Sequence, residues 1–290
     1  MRRRVILVVA PRCDDGVVVP NLDGVRVKLN RAKRHVEDLR AAVGQLDIVA
    51  TNSIVGAPSD DDPSVLVYRV TDVPNIEPYV SAIAGDLIHN LRTALDHVAW
   101  QLVLLDGGEP NETTTFPLVE TATKRDGTPR APLVVKPGIS DPQIMAAVAA
   151  MQPIAEAHHG HDPKTDALGI IGRLNNIDKH RLLLTVVHAL DRDLPAYWGQ
   201  NDGDPSPTYK FNLTALATND VVATFDFGGA SPPARFDPHL KLTVTVAEAD
   251  GNWAQGLSIV DVLDGLRQTV ARELNMHIVP LMAEQYLDWG

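Results

Sequence analysis

The chain has one cysteine, Cys13, in 290 residues. A lone thiol makes no intramolecular disulfide and no thiolate zinc site, so a reducing, cytoplasmic setting is expected. No apolar run reaches the roughly 18 residues of a membrane span, and no membrane association is expected. Neither G-x-G-x-x-G nor a Walker A pattern occurs, which removes the glycine-rich phosphate cradles, and no cofactor is expected. Aromatic residues make up only 5%, and Trp100, Trp198, Trp253 and Trp289 do not alternate with a basic run. A stacking platform for single strands is therefore not indicated. Positive charge is also short: 26 Lys+Arg against 37 Asp+Glu give a net charge of −11. That balance excludes an indiscriminate duplex coat protein, because such binding runs on phosphate neutralisation. The deficit is uneven, since residues 1–45 hold ten Lys/Arg against five Asp/Glu. A local basic site stays open.

What the sequence does have is apolar material, 44% of residues, enough for a sizeable core. The start pairs Arg2–Arg4 with the short apolar run Val5–Ala10. Pro11, Arg12 and Asp14 follow with no small-residue cleavage site, so residues 1–21 read as an edge strand or a disordered extension rather than a leader. Val25, Leu29, Ala32, Val36, Leu39, Val43 and Leu46 then recur at steps of four and three, predicting an amphipathic helix with Asp23 as N-cap and Gly44 fraying its far end. Its basic stretch, Arg26 to Arg40, suits either phosphates or a solvated face. An acidic, proline-bearing loop over Gly56–Pro63 precedes a strand at Val65–Val70. A second long helix is predicted over Pro78–Leu105, stopped by Gly107, Gly108 and Pro110. Short extended pieces follow at Thr115–Val119 and Leu133–Lys136, then helices over Asp141–Ala157 and Thr165–Leu183. Tyr209–Ala215, Val221–Phe227 and Leu240–Ala247 predict an antiparallel meander, closed by a helix over Ser258–Ile278 with Ile259, Leu263, Leu266, Val270 and Leu274 on one face. The chain reads as α+β: a long-helix bundle over residues 22–190, then a small antiparallel sheet and C-terminal helix over 191–290 packed on it.

Histidine is in surplus, ten against eight lysines, and the second long helix uses it in an unusual way. At about 100° per residue, with His89 at zero, Arg92 falls near −60°, Asp96 near −20°, Thr93 near 40°, Asp86 near 60° and His97 near 80°. Leu87, Leu91, Ala94, Val98 and Leu102 fill the opposite side. The stripe holds no Lys, Glu or Gln, the long helix-favouring side chains of a solvated face. Short Asp, His and Thr beside one Arg fit acid/base work, phosphate binding or a buried network. The bland alternative is a face whose carboxylates and Arg92 make ordinary ion pairs four apart. Asp86 and His89, with His180 from another helix, could also hold a single metal. His158, His159 and His161 sit in a polar loop expected to face solvent. On the segment LNNIDKHRLLL, Asn176, His180 and Arg181 form either a second wall of one pocket or a helix C-terminus favoured by the macrodipole.

Arg92 and His97 form R-x-x-x-x-H, with the polar Thr93 directly after the arginine. In this the segment resembles the HEPN superfamily, whose nucleases carry an arginine and a histidine separated by four to six residues. The pairs Arg173/His180, Arg181/His188 and Arg272/His277 fall within the same range, but only Arg92/His97 lies in a long predicted helix with a dense polar stripe. The resemblance implies a homodimeric, metal-independent ribonuclease or RNA-binding protein of toxin or phage-defence biology. It assigns Arg92 and His97 as catalytic, supported by His89, Asn90, Thr93, Asp96, Asn176, His180 and Arg181. The segments H-N-L-R-x-A-L-D-H and N-N-I-D-K-H-R also resemble an uncharacterised actinobacterial and phage protein family. Ideal geometry sets Arg92 and His97 about 140° apart, so one phosphate meets both only across a straddling cleft or with a second protomer. Two other readings stand beside it: a non-enzymatic interaction protein with a structural Arg/His/Asp network, and a metal-binding helical-bundle enzyme using Asp86, His89 and His180.

Overall fold

The three-and-four spacing of apolar residues builds the first helix, α1 (Asp23–Thr51), with Val25, Leu29, Ala32, Val36, Leu39 and Val43 all buried. A computed structural model describes residues 20–51, 53–123, 128, 138–157, 160–183, 185–189, 206–212, 215–234, 236, 238, 240, 242–247 and 257–282. The expected extended start, Leu133–Lys136, Cys13, His158 and His159 lie outside them. Asn21, not Asp23, supplies the capping oxygen of α1: its Oδ1 accepts from the Asp23 amide at 3.1 Å. Nor does the helix fray at Gly44; it continues to Thr51.

The remaining elements are β1 (Ile54–Pro58), β2 (Val65–Val70), α2 (Pro78–Leu105), α3 (Pro142–Ala150), α4 (Pro153–Ala157), α5 (Ala167–Asp178), β3 (Thr185–Ala189), β4 (Thr208–Phe211), β5 (Val221–Asp226), β6 (Leu242–Val246) and α6 (Ile259–His277). The class is α+β, as the sequence patterns indicate. Helix α2 ends in a Schellman motif: Gly107 has φ +79°, its amide bonds the Leu104 carbonyl, and the Gly108 amide bonds Val103. The helix expected over 141–157 is broken in two, because Pro153 brings no amide to its interior. Asp141 caps the first piece through the amides of Gln143 and Ile144. The next helix starts two residues later than expected, since the Asp166 carboxylate caps Leu168 and Gly169. It also stops at Asp178, short of Leu183, so His180 and Arg181 lie in the turn after it. In α6, Ser258 caps the Asp261 amide, and the predicted apolar face from Ile259 to Leu274 is buried. Among the described residues no helix is long and apolar enough to cross a membrane.

The strands pair differently from a simple meander. One sheet has the order β1-β2-β5-β4, all antiparallel, and a second joins β3 to β6. Ile54–Pro58, in part read as loop, is an edge strand opposite β2, where Gly56 faces Tyr68. Phe225, fully buried on β5, gathers the rings of Phe236, Tyr68, Phe211 and Tyr209 at centroid distances of 5.0 to 6.2 Å. That aromatic cluster exists because β2, β4 and β5 put alternate residues on one side of the pleat.

The chain forms two compact units, one of residues 1–32, 89–173 and 266–290, the other of 33–88 and 174–265. Helices α1, α2, α5 and α6 each contribute residues to both units.

Two substitutions test this packing. Thr245 on β6 buries a hydroxyl with no hydrogen-bond partner among the described residues, so Thr245→Val should stabilise by about 1 kcal/mol in chemical denaturation. Gly44 lies inside α1 with open space around a would-be Cβ. Gly44→Ala should add about 0.5–1 kcal/mol, and a loss of stability would contradict the continuous helix.

Candidate functional site

On α2, residues four apart share a face, and this brings Arg92 against Asp96. Arg92 Nη2 donates to Asp96 Oδ1 at 2.7 Å and to the Phe116 carbonyl at 2.7 Å. The same Asp96 oxygen accepts the Phe116 amide at 2.9 Å. Both main-chain groups of one residue are thus held by one ion pair. The side chains keep only 16% and 30% of their exposure, and Phe116 is buried.

Sequence supplies the reason that Phe116 needs such partners. The turn before it closes on itself: Asn111 Oδ1 accepts from the amide and hydroxyl of Thr113, and Thr114 Oγ1 accepts the Asn111 amide. The segment that follows has no regular secondary structure and joins no sheet, so the strand expected at Thr115–Val119 is not formed. Its backbone groups find other partners. The Val119 amide bonds Gln152 Oε1 at 3.1 Å, and the Val119 carbonyl accepts from the Ile154 amide at 2.8 Å. Gln152, buried at the break between α3 and α4, also donates to the Val148 carbonyl. Next along the chain, Glu120 pairs with Arg173, which also reaches the Lys164 carbonyl.

His97 takes a different neighbour. A Cβ on Gly24 would lie 2.5 Å from its Nδ1, so the imidazole packs directly on the first turn of α1. Partial burial holds its pKa below the ordinary 6.5, Lys28 pushes the same way, and Asp96 opposes both. Arg92 and His97 therefore have separate partners, Phe116 for one and Gly24 for the other. Of the supporting residues, His89 is exposed and Thr93 donates back to the His89 carbonyl at 2.8 Å. Asn90 is buried. Asn176, His180 and Arg181 are exposed at and beyond the end of α5, in the other unit. Among the described residues no group of three His, Cys, Asp or Glu side chains is arranged to hold a metal ion, which leaves Asp86, His89 and His180 without support as a ligand set.

The structure also brings together residues that the sequence reading passed over. On α6, Arg272 reaches Glu273 Oε1 at 3.3 Å and His277 Nε2 lies 3.5 Å from Glu273 Oε2. Arg272 and Glu273 border a cleft of about 320 Å³ with His161, Asp162, Thr165 and Asp166. The R-x-x-x-x-H spacing of Arg272 and His277 was the available signal. It carried no weight because α6 lacks the dense polar stripe of α2.

Comparison with family models, curated proteins and solved structures finds no match to this chain.

The His97 environment fixes a pH dependence. Its folded-state pKa lies below the unfolded value, so the unfolded chain binds more protons as the pH falls through 6.5 towards the folded pKa. Stability contributed by neutral His97 is present above that window and lost on descending through it. Thermal melts of the native chain between pH 7.5 and about 5 should show a fall in Tm that is smaller in His97→Gln. Equal pH dependence in both proteins would contradict the assignment.

Proposed function

We propose that the chain is a non-enzymatic interaction protein in which Arg92, Asp96 and His97 are architectural. The observation that carries this reading is the double hydrogen bond of the Arg92–Asp96 pair to the main chain of buried Phe116. A catalytic arginine must offer its guanidinium to a substrate phosphate. Here the Arg92 side chain is mostly buried and its Nη2 is bound to a carboxylate and a carbonyl. A catalytic histidine needs reach to the same phosphate, and His97 instead packs on Gly24. Asp96 fits this role as a short side chain that reaches a neighbouring amide at little entropic cost, and it holds the longer Arg92 in place for the carbonyl.

A metal-independent ribonuclease is the second reading, and one observation favours it at a different place. Arg272 and His277 both reach Glu273 beside the cleft of α6. There a carboxylate lies beside an imidazole, and the Arg272 side chain, 63% exposed, can exchange Glu273 for a phosphate. It ranks second because Asp162, Asp166 and Glu273 line the same cleft and repel a phosphodiester.

The two readings separate on paired variants. Arg92→Ala and Asp96→Ala each leave a partly buried charge and a main-chain group without its partner, at a cost of about 2–4 kcal/mol. For a chain of this size that lowers Tm by roughly 5–12 °C. Incubation of a labelled RNA with chelator present should show no cleavage by the native chain or by Arg92→Ala, Arg272→Ala or His277→Ala. Cleavage by the native chain that is lost in Arg92→Ala, with Tm unchanged, would overturn the architectural reading. Cleavage lost in Arg272→Ala or His277→Ala would establish the second.

A further inference from the structure

Helix α1 places its positive charge against the expectation for a helix that needs only to fold. Residues 24–36 hold five cations, Arg26, Lys28, Arg31, Lys33 and Arg34, and no carboxylate. The last turn of α1, where the macrodipole favours cations, has none. Arg31, Lys33 and Arg34 are exposed, and Val27, between Arg26 and Lys28, is 59% exposed. Among the described residues Arg26 pairs with Asp23 at 3.8 Å, while Lys28, Arg31, Lys33 and Arg34 make no ion pair. Glu37 and Asp38 end the patch one turn further on. Lys28, Arg31 and Arg34 follow one another three residues apart, about 4.5 Å of rise each, so like charges adjoin along a ridge. In a chain of net charge −11 such a cluster is a local reversal of sign.

From this charge complementarity we infer that the first three turns of α1 dock on the phosphate backbone of a nucleic-acid duplex. The ridge from Lys28 to Arg34 rises about 9 Å, a length over which one strand presents about three phosphates. Arg26, Arg31 and Arg34 supply the planar forks that hold phosphate oxygens in pairs. A single strand is disfavoured, since the face offers Val27 and Asn30 but no aromatic ring for stacking. An anionic membrane is disfavoured because Val27 is the one large apolar side chain on the face. Contact with about three to four phosphates and no base reading gives weak, strongly salt-dependent association, consistent with an acidic remainder that repels the duplex. The inference gives a partner to the interaction reading and rests on it, but it uses another face. Loss of duplex binding leaves the Arg92–Asp96 role intact, and the melting and cleavage measurements on Arg92 leave duplex binding intact.

The test is fluorescence anisotropy of a labelled 20-bp DNA duplex and a matching RNA duplex with the full chain, from 50 to 200 mM salt. The expected result is binding to a duplex with a log–log salt slope of about −3. Arg31→Glu/Arg34→Glu should weaken it at least tenfold and flatten the slope by about 2, while Arg40→Glu, beyond the acidic residues, should change it less than twofold. Thermal melts confirm folding of the variant; if the double glutamate variant fails to fold, Arg31→Ala/Arg34→Ala takes its place with the same expected direction. No duplex binding at 50 mM salt, or equal binding by native and variant chains, overturns the inference. So does tighter binding to the single strand, to anionic phospholipid vesicles or to polyglutamate than to either duplex.

Discussion

A peptide segment that is buried but belongs to no sheet must find hydrogen-bond partners for its main chain elsewhere. In this protein that constraint falls on Phe116 and Val119, and the answer is one charged pair and one amide. The Arg92–Asp96 pair closes around both polar groups of Phe116, and Gln152 takes the Val119 amide. With those bonds made, the ring of Phe116 can be buried without leaving an amide and a carbonyl unpaired, a cost of about 1–3 kcal/mol each. The same need explains why α2 carries Arg and Asp four apart where Leu or Lys would make a better helix, and why Pro153 is tolerated: the break it forces positions Gln152.

His97 follows a related logic. It sits where a glycine on α1 leaves room for a flat ring, half-buried and beside Lys28, and those surroundings favour the neutral imidazole. A stripe of Asp, His, Thr and Arg on a helix is equally well explained by its neighbours in the fold, and here the neighbours are on hand.

Much of the fold was legible in the sequence where one physical signal dominated. The seam from Val25 to Val43, the span Pro78–Leu105 with its glycine stop and the buried face from Ile259 to Leu274 all follow from apolar periodicity and capping chemistry. Strand pairing was not legible. Which of β3 and β5 accepts β6 is decided by contacts far apart in sequence, and period-two patterning says nothing of that. Thr115–Val119 was misread because an extended, apolar pattern is the same whether its hydrogen bonds go to a strand or to side chains. The R-x-x-x-x-H spacing singled out Arg92 and His97, whereas the pair joined through a shared carboxylate is Arg272 and His277. Spacing fixes the angle between two side chains on a helix and leaves their neighbours unspecified.

The central claim, that the Arg92–Asp96 pair exists to hold the main chain of Phe116, is tested most directly by hydrogen exchange at the Phe116 amide. The account predicts strong protection in the native chain, comparable to amides within α2, and exchange accelerated about tenfold or more in Asp96→Ala beyond any change in global stability. A Phe116 amide that exchanges as an open loop in the native chain, or one whose protection is unaltered by Asp96→Ala, would contradict it.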